Sequence, residues 1–167
     1  MTVDELPVIV HTAKAGDQVV GYAVETMTTK GFSGVFRLMV GFRASGEVYN
    51  INVLEHSETP GLGSKMGDEG NSLLTSFKDK NPANMKQPLA VAKDGGDVQA
   101  LTAATISSRA YVDAVVRAYN AVQQIKGGAN VATGATSNST EWTEGEQPAA
   151  EATETVNEET QKGEDNE

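Results

Sequence analysis

An amphipathic helix in the second half of the chain is the feature that most limits its possible folds. Apolar residues recur there at alternating spacings of four and three: Tyr111, Val115, Ala118, Val122 and Ile125. This spacing forms one face of a helix that packs against a core. The pattern predicts a helix from about Ser107 to Lys126, ending before Gly127 and capped at its start by the hydroxyl of Ser107 or Ser108.

The residues just before this helix favour an anion. Thr102 and Thr105 place hydroxyl groups ahead of the predicted N-terminus. Unpaired backbone N–H groups and the helix dipole stabilise negative charge at such an end. On the residues alone, two interpretations remain: an anion site beside a threonine, or hydroxyl groups that only cap and turn the chain.

Short apolar segments rich in β-branched residues fill the first half of the chain and predict strands. The predicted strands are residues 7–11, 18–27, 35–42, 48–54 and 88–93, and the predicted loops include residues 13–17 and 28–34. A short helical pattern lies within residues 67–80. We therefore predict an α+β fold: a twisted, mainly antiparallel sheet packed with helices on one side, the long helix following the threonines.

Charge separates the chain into two parts. Nine Glu, one Asp and one Lys give residues 141–167 a formal charge of −9, which leaves −1 for the rest of the total of −10. Residues 129–167 contain Trp142 as their only aromatic residue and have too little apolar surface to offset the entropy of ordering. We predict a folded domain at 1–128 and an acidic, disordered tail at 129–167. The nearly neutral domain offers no basic surface for nucleic acid.

Composition also limits the chemistry. The chain has no cysteine, which excludes disulfides and cysteine-ligated metal or iron–sulfur sites. His11 and His56 are far apart and lack metal-ligand spacing, so we predict no metal site. No segment has the roughly 18–20 apolar residues of a membrane helix. Residues 1–10 are partly acidic and do not form a signal peptide.

Two motifs resemble those of the FMN-binding domain found in RnfG and NqrC subunits. Residues 102–108, Thr-Ala-Ala-Thr-Ile-Ser-Ser, resemble its flavinylation motif, Ser/Thr-Gly-Ala-Thr-x-Ser/Thr. Residues 56–63, His-Ser-Glu-Thr-Pro-Gly-Leu-Gly, resemble its Glu-Thr-Pro-Gly-Leu-Gly loop. Together, in this order and with a helix after the second motif, they are more specific than either alone. The resemblance covers residues 31–125, most of the predicted domain.

The resemblance implies a site for covalently bound FMN. In that family the last threonine of the motif, here Thr105, carries FMN through a phosphoester made by a dedicated flavin transferase. The other residues expected to contact the cofactor are Thr102, Ala103, Ala104, Ile106, Ser107, Glu58, Thr59, Pro60, Gly61, Leu62, Gly63 and Lys93. The flavin ring would lie along the loop backbone, which glycine lets a ligand approach closely. Without the resemblance, this loop can as readily be interpreted as an ordinary strand-to-helix turn. Glu58 can as readily be a solvated carboxylate, and a lysine beside a turn, such as Lys93, is usually solvated.

The sequence departs from the family motif at two positions, and a second copy of the motif occurs nearer the C-terminus. Ala103 stands where the family usually has Gly, so we expect a turn that tolerates a Cβ. Gln99 stands where an Asp often precedes the motif. Residues 132–137, Ala-Thr-Gly-Ala-Thr-Ser, match the motif more literally, but no amphipathic helix follows them. We therefore assign the attachment to Thr105 rather than Thr136.

The resemblance further implies an electron-carrier subunit of the membrane-bound, ion-translocating ferredoxin:NAD oxidoreductase (Rnf) complex, with no catalytic residue and no activity as a stand-alone enzyme. Its partners would be the other membrane subunits and the flavin transferase. Its place would be the periplasmic side of a bacterial inner membrane, held by an N-terminal anchor absent from this sequence, which we expect to be a soluble fragment. The alternatives are an NqrC-like subunit of the sodium-pumping quinone oxidoreductase, and a non-flavinylated ligand-binding or interaction module of the same fold. A free-standing flavin reductase ranks last, because the sequence has no nicotinamide-binding fingerprint.

Overall fold

The computed structural model describes residues 1–134. Its elements, in order, are β1 (Thr2–Val3), β2 (Leu6–Pro7), β3 (Ile9–Ala15), β4 (Gln18–Gly31), β5 (Gly34–Arg43), β6 (Val48–Glu55), α1 (Ser72–Phe77) and α2 (Thr105–Lys126). Short 3₁₀ turns occupy Gly63–Gly67, Pro82–Asn84 and Ala92–Asp94. Strands that pair with their sequence neighbours and a long helix after them confirm the predicted α+β fold.

The main sheet has four antiparallel strands in the order β3-β4-β5-β6. Alternate residues of β4 and β5 are buried: Tyr22, Val24, Thr26, Thr28, Phe36, Leu38, Val40 and Phe42. Thr26 donates a hydrogen bond from this face to the carbonyl of Ala114 in α2, at 3.2 Å. The intervening residues are largely half-buried, and Val35 and Arg43 are exposed. One face of the sheet therefore packs on α2, as the alternation of an antiparallel sheet requires.

Helix α2 is more deeply buried than its sequence pattern indicates. Every residue from 110 to 123 is buried, so the predicted apolar face is only one part of the buried surface. Ile125, assigned to that face, is 48% exposed. The helix ends as predicted, because Gly127 adopts φ +73° and donates its amide to the carbonyl of Gln123.

Two segments differ from the predicted secondary structure. The loop predicted at residues 28–34 is mostly strand, since β4 continues to Gly31 and β5 begins at Gly34. The strand predicted at 88–93 is wrong: Leu89 and Val91 form only isolated bridges, and a 3₁₀ turn follows. Pro88 has no N–H group to give to a strand ladder, which limits pairing at the start of this segment.

The described chain continues past the predicted domain boundary at residue 128. Val131 and the side chain of Asn120 exchange two hydrogen bonds, at 2.9 and 3.0 Å. The amide of Gly134 donates to the carbonyl of Leu89 at 2.7 Å. These residues therefore pack on the domain. Most of the predicted acidic tail, including Thr136 and Trp142, lies outside the described residues. Within residues 1–134, no helix is both long enough and apolar enough to cross a membrane.

Buried charges join α2 to β4. Asp113 and Arg117 lie four residues apart on α2, the spacing of an ion pair on a solvated helix face, but each side chain is only 2% exposed. Asp113 accepts from Lys30 at 2.7 Å and from Arg117 at 2.8 Å, and Arg117 also donates to the carbonyl of Met27 at 2.8 Å. Burial raises the pKa of Asp113, but hydrogen bonds and positive charge from Lys30 and Arg117 outweigh it, so the pKa is lowered.

We expect Asp113→Asn to lower the free energy of unfolding at pH 7 by about 3 kcal/mol, because the buried charge of Arg117 then loses its buried anionic partner and keeps only the exposed Asp4, at 3.9 Å. The folded pKa of Asp113 lies below its unfolded value of about 4. Its stabilisation is therefore complete above that value and is lost as the pH falls through the lower folded pKa. The variant should accordingly lose less stability on acidification than the wild type, as measured by urea unfolding across pH.

The matched control is Asp79→Asn. Asp79 pairs with Arg43 at the surface, where its side chain is 60% exposed, so the expected cost is below about 1 kcal/mol. Equal destabilisation by both substitutions would contradict the structural importance of the buried cluster.

Candidate functional site

The two sequence motifs meet at the N-terminus of α2. The hydroxyl of Ser107, in the first turn, donates a hydrogen bond to Oε2 of Glu58. A Cβ placed on Gly63 would lie 2.6 Å from the Ser107 hydroxyl and 2.8 Å from the same Glu58 oxygen. The loop at residues 58–63 is thus packed directly against the helix, and glycine is required where it approaches most closely.

Glu58 is a buried link between three segments, with 4% of its surface exposed. Its Oε1 accepts the backbone amide of Ser33, in the turn between β4 and β5, at 3.1 Å. Its Oε2 accepts from Ser107. The interpretation of Glu58 as a solvated carboxylate is therefore wrong, and hydrogen bonds from the protein engage both of its oxygens.

The loop folds into a compact turn with an open side. The amides of Leu62 and Ser64 donate to the carbonyl of Thr59 at 3.1 and 3.2 Å. Gly61 adopts φ +75°, and a Cβ there would meet no atom within 4 Å. Pro60 and Gly61 are exposed, whereas Thr59 and Leu62 are half-buried. The exposed backbone beside a partly buried leucine can receive a flat ligand.

The start of α2 differs from the predicted capping. The N-cap residue is Ala104, which offers no side-chain hydrogen bond, and Thr105 is the first helical residue. The cap predicted at Ser107 or Ser108 is wrong, because both lie buried inside the first turn. The Ser108 hydroxyl instead donates to the carbonyl of Ala104 at 2.8 Å and accepts the amide of Leu101 at 3.0 Å. It therefore holds the turn before the helix in place and leaves the helix end without a side-chain cap.

Ala103 has a left-handed backbone conformation, with φ +57°. The turn accommodates the Cβ of Ala103, but this conformation costs a residue with a side chain about 1–2 kcal/mol. The glycine usual at this position of the family motif would adopt it without that cost.

A second contact fastens the segment before the motif to the helix. Arg109 donates two hydrogen bonds to Asp94, from Nε to Oδ2 and from Nη2 to Oδ1, each 2.7 Å long. Arg109 lies one helical turn after Thr105, on the same face. The hydrogen bonds from Arg109 lower the pKa of Asp94, against the opposing effect of burial. Lys93, next to Asp94, is exposed near this end of the helix.

The predicted contact residues are placed as follows. Glu58, Gly63, Ala104 and Ser107 are buried; Thr59, Leu62, Thr105 and Ile106 are half-buried; Pro60, Gly61, Thr102, Ala103 and Lys93 are exposed. Of these, Glu58, Gly63 and Ser107 are brought into one cluster, and Lys93 reaches the helix only through its neighbour Asp94.

The contribution of the β4–β5 turn to the site was not predicted from the sequence. A Cβ on Gly31 would clash with the carbonyl oxygen of Gly34 across the turn and would lie 2.6 Å from Oε1 of Glu58, so this glycine allows the tight turn and also leaves room for the buried carboxylate. A glycine close to the end of a strand often marks such an approach, which was the available signal. No sequence pattern indicates the pairing of Arg109 with Asp94, because the two residues are fifteen positions apart.

We expect Ala103→Gly to raise the free energy of unfolding by about 0.5–1 kcal/mol, because relief of the left-handed strain exceeds the entropy that glycine adds to the unfolded chain. Urea unfolding measures the change. The matched control is Ala104→Gly: Ala104 has φ −138°, so the substitution relieves no strain and removes a buried methyl group. It should be destabilising. A loss of stability in Ala103→Gly would contradict the strain.

Comparison with known proteins agrees with this geometry. Residues 31–120 match the family model described as the FMN-binding domain. Similar curated proteins, each named as a subunit of an ion-translocating oxidoreductase complex, come from Shewanella loihica (40% identity over 73% of this chain and 59% of the relative), Shewanella oneidensis (42%, 70% and 55%) and Escherichia coli (41%, 65% and 53%). The chain thus spans between half and three fifths of the length of these relatives. It belongs to the FMN-binding domain family.

Proposed function

We propose that this domain carries one FMN as a phosphoester on Thr105 and serves as the electron-carrier subunit of an ion-translocating ferredoxin:NAD oxidoreductase (Rnf) complex. One observation carries the proposal. Thr105 is the first residue of a 22-residue helix that has no side-chain cap, and the turn at residues 59–63 packs against the same helical turn.

The helix end fits a phosphate. The first amides of a helix have no partner within it, and its dipole favours negative charge there. Thr102 and Ala103, just before the helix, are exposed, and Thr105 is only half-buried. This leaves Thr105 accessible for modification. The ester joins Thr105 Oγ1 to the phosphorus, so the product has the mass of the protein plus FMN less one water. A covalent link retains a cofactor on a partly exposed surface.

The loop fits a flat ring system. Its open backbone at Gly61 and the half-buried Leu62 would hold and orient the ring, and Thr59 and Gly63 would fix the ends of the turn. Bound FMN supplies one- and two-electron redox chemistry. The exposure of Pro60 and Gly61 would leave this side of the site accessible to a redox partner. Lys93, exposed near the helix end, would add positive charge for the phosphate or the ring carbonyls.

The remaining parts of the proposal concern the assembly. The names of the similar proteins describe part of an ion-translocating oxidoreductase complex, which favours Rnf over the NqrC-like alternative. We propose the other membrane subunits of that complex as redox partners and a flavin transferase for maturation. The site would lie on the periplasmic side of a bacterial inner membrane.

The second candidate function is a module of the same fold that carries no covalent flavin. The observation that favours it is Ala103, which gives the modification motif a strained residue where the family usually has glycine.

Flavinylation separates the two functions. After co-expression with a flavin transferase, we expect the wild type to gain the mass of one FMN less one water and to fluoresce on a denaturing gel. Thr105→Ala should gain neither. Thr136→Ala is the matched control, because it removes the threonine of the more literal motif, and it should be modified like the wild type. A wild-type protein without added mass would favour the non-flavinylated module, and loss of the modification in Thr136→Ala would move the attachment there.

A further inference from the structure

We propose that Glu58 is a positioning residue, whose buried carboxylate fastens the loop at residues 59–63 and the β4–β5 turn to the first turn of α2. The inference rests on the proposed function, because it assigns the surface on which the flavin ring would lie. It gives Glu58 a role in orienting the protein backbone, in place of the contact with the cofactor that the resemblance implied.

The hydrogen bonds of Glu58 give the first argument. Its two oxygens accept from different segments, Oε1 from the amide of Ser33 at 3.1 Å and Oε2 from the hydroxyl of Ser107. Its own amide donates to Nδ1 of His56 at 3.1 Å, which fixes the backbone just before the loop. With 4% of the residue exposed, one side chain therefore connects a hairpin turn, a loop and a helix that are distant in sequence.

The neighbouring glycines give the second argument. A Cβ on Gly31 would lie 2.6 Å from Oε1, and a Cβ on Gly63 would lie 2.8 Å from Oε2. Real Cβ atoms do not approach other atoms this closely without a shift of the structure. A Cβ on Gly31 would lie even closer to the carbonyl oxygen of Gly34, and a Cβ on Gly63 would lie 2.6 Å from the Ser107 hydroxyl. The absence of a side chain at both positions therefore lets the turn, the loop and the first turn of α2 come together around the carboxylate.

Electrostatics gives the third argument. Among the described residues, the two groups that donate to Glu58 are neutral, unlike the Lys30 and Arg117 side chains that hold Asp113. Ser107 is the third residue of α2, so its partner Glu58 lies within the reach of the helix dipole, which favours a carboxylate at an N-terminus. The helix end therefore contributes to holding the loop as well as to favouring a phosphate.

The consequence is a loop that is ordered before FMN binds. A surface fixed in advance loses less conformational entropy when a ligand is bound, and it holds the ligand in one orientation. Removing the carboxylate should release the loop at 59–63 and the turn at Ser33 together, because the side chain of Glu58, which directly precedes the loop, accepts hydrogen bonds from both the turn and the helix.

Hydrogen–deuterium exchange of the cofactor-free domain tests this directly. In Glu58→Ala we expect the amide of Ser33 to exchange about 10- to 100-fold faster, the range for a lost hydrogen bond to a charged group. The amides of Thr59 and of residues 61–64 should also exchange faster, because the loop is no longer fastened to the helix. Glu58→Gln keeps the size and one acceptor and should restore part of the protection. Ser107→Ala removes one donor and should loosen the loop more than the turn. Glu55→Ala, three residues earlier with a side chain 71% exposed, is the matched control and should match the wild type.

Two results would overturn the inference: unchanged exchange in the loop and turn of Glu58→Ala and Ser107→Ala, or a uniform rise in exchange across the whole domain, which would mark a loss of general stability.

The FMN-loaded proteins give a separate readout. With equal flavin content, Glu58→Ala should change the visible circular dichroism of the flavin, and Glu55→Ala should not; an unchanged spectrum would also contradict the inference. If the wild type takes up no FMN, the proposed function fails, while the exchange experiment still decides the role of Glu58.

Discussion

The packing of α2 on β4 is the interaction on which the rest of the structure depends. Two kinds of contact fix it: apolar side chains from one face of the sheet, and the buried charges of Asp113 and Arg117, which bond to Lys30 and to the carbonyl of Met27. Apolar contacts tolerate small shifts, whereas a buried ion pair is strongly destabilised once its geometry fails. The cluster therefore sets the position of the helix along the strand. It thereby also sets where the N-terminus of the helix meets the loop.

The site at that N-terminus is built by small residues that allow segments to approach closely. Gly31 and Gly63 lie where a Cβ would contact the Glu58 carboxylate, and the small residues Ala104 and Ser107 are buried at the N-cap and in the first turn of the helix. Hydroxyl groups then satisfy the polar atoms that this close packing buries, as Ser108 does for the amide of Leu101. The helix end is held in place by these contacts but has no side-chain cap, so its free amides can bind an anion.

Much of this fold could be predicted from the sequence, and the limits have physical causes. Strands β5 and β6 followed from short apolar segments, and the end of α2 followed from Gly127; both are local signals. The N-cap did not, because two buried serines resemble capping residues until their tertiary partners are known. Asp113 and Arg117 have the spacing of an exposed ion pair, and only the approach of β4 shows them to be buried. The motifs predicted where the site lies, but the role of Glu58 depends on Ser33, whose contact is non-local.

The helix end separates two negative groups by its own geometry. Thr105 and Ser107 are two residues apart, so their side chains leave the helix about 200° apart around its axis. Glu58 is bound on the Ser107 side, while the segment that carries Asp94 and Lys93 is held by Arg109 on the Thr105 side. An ester at Thr105 would thus be displaced around the helix end from the Glu58 carboxylate, towards the side that contributes Lys93. The same dipole can then serve both groups, one as a permanent part of the fold and the other as the point of attachment.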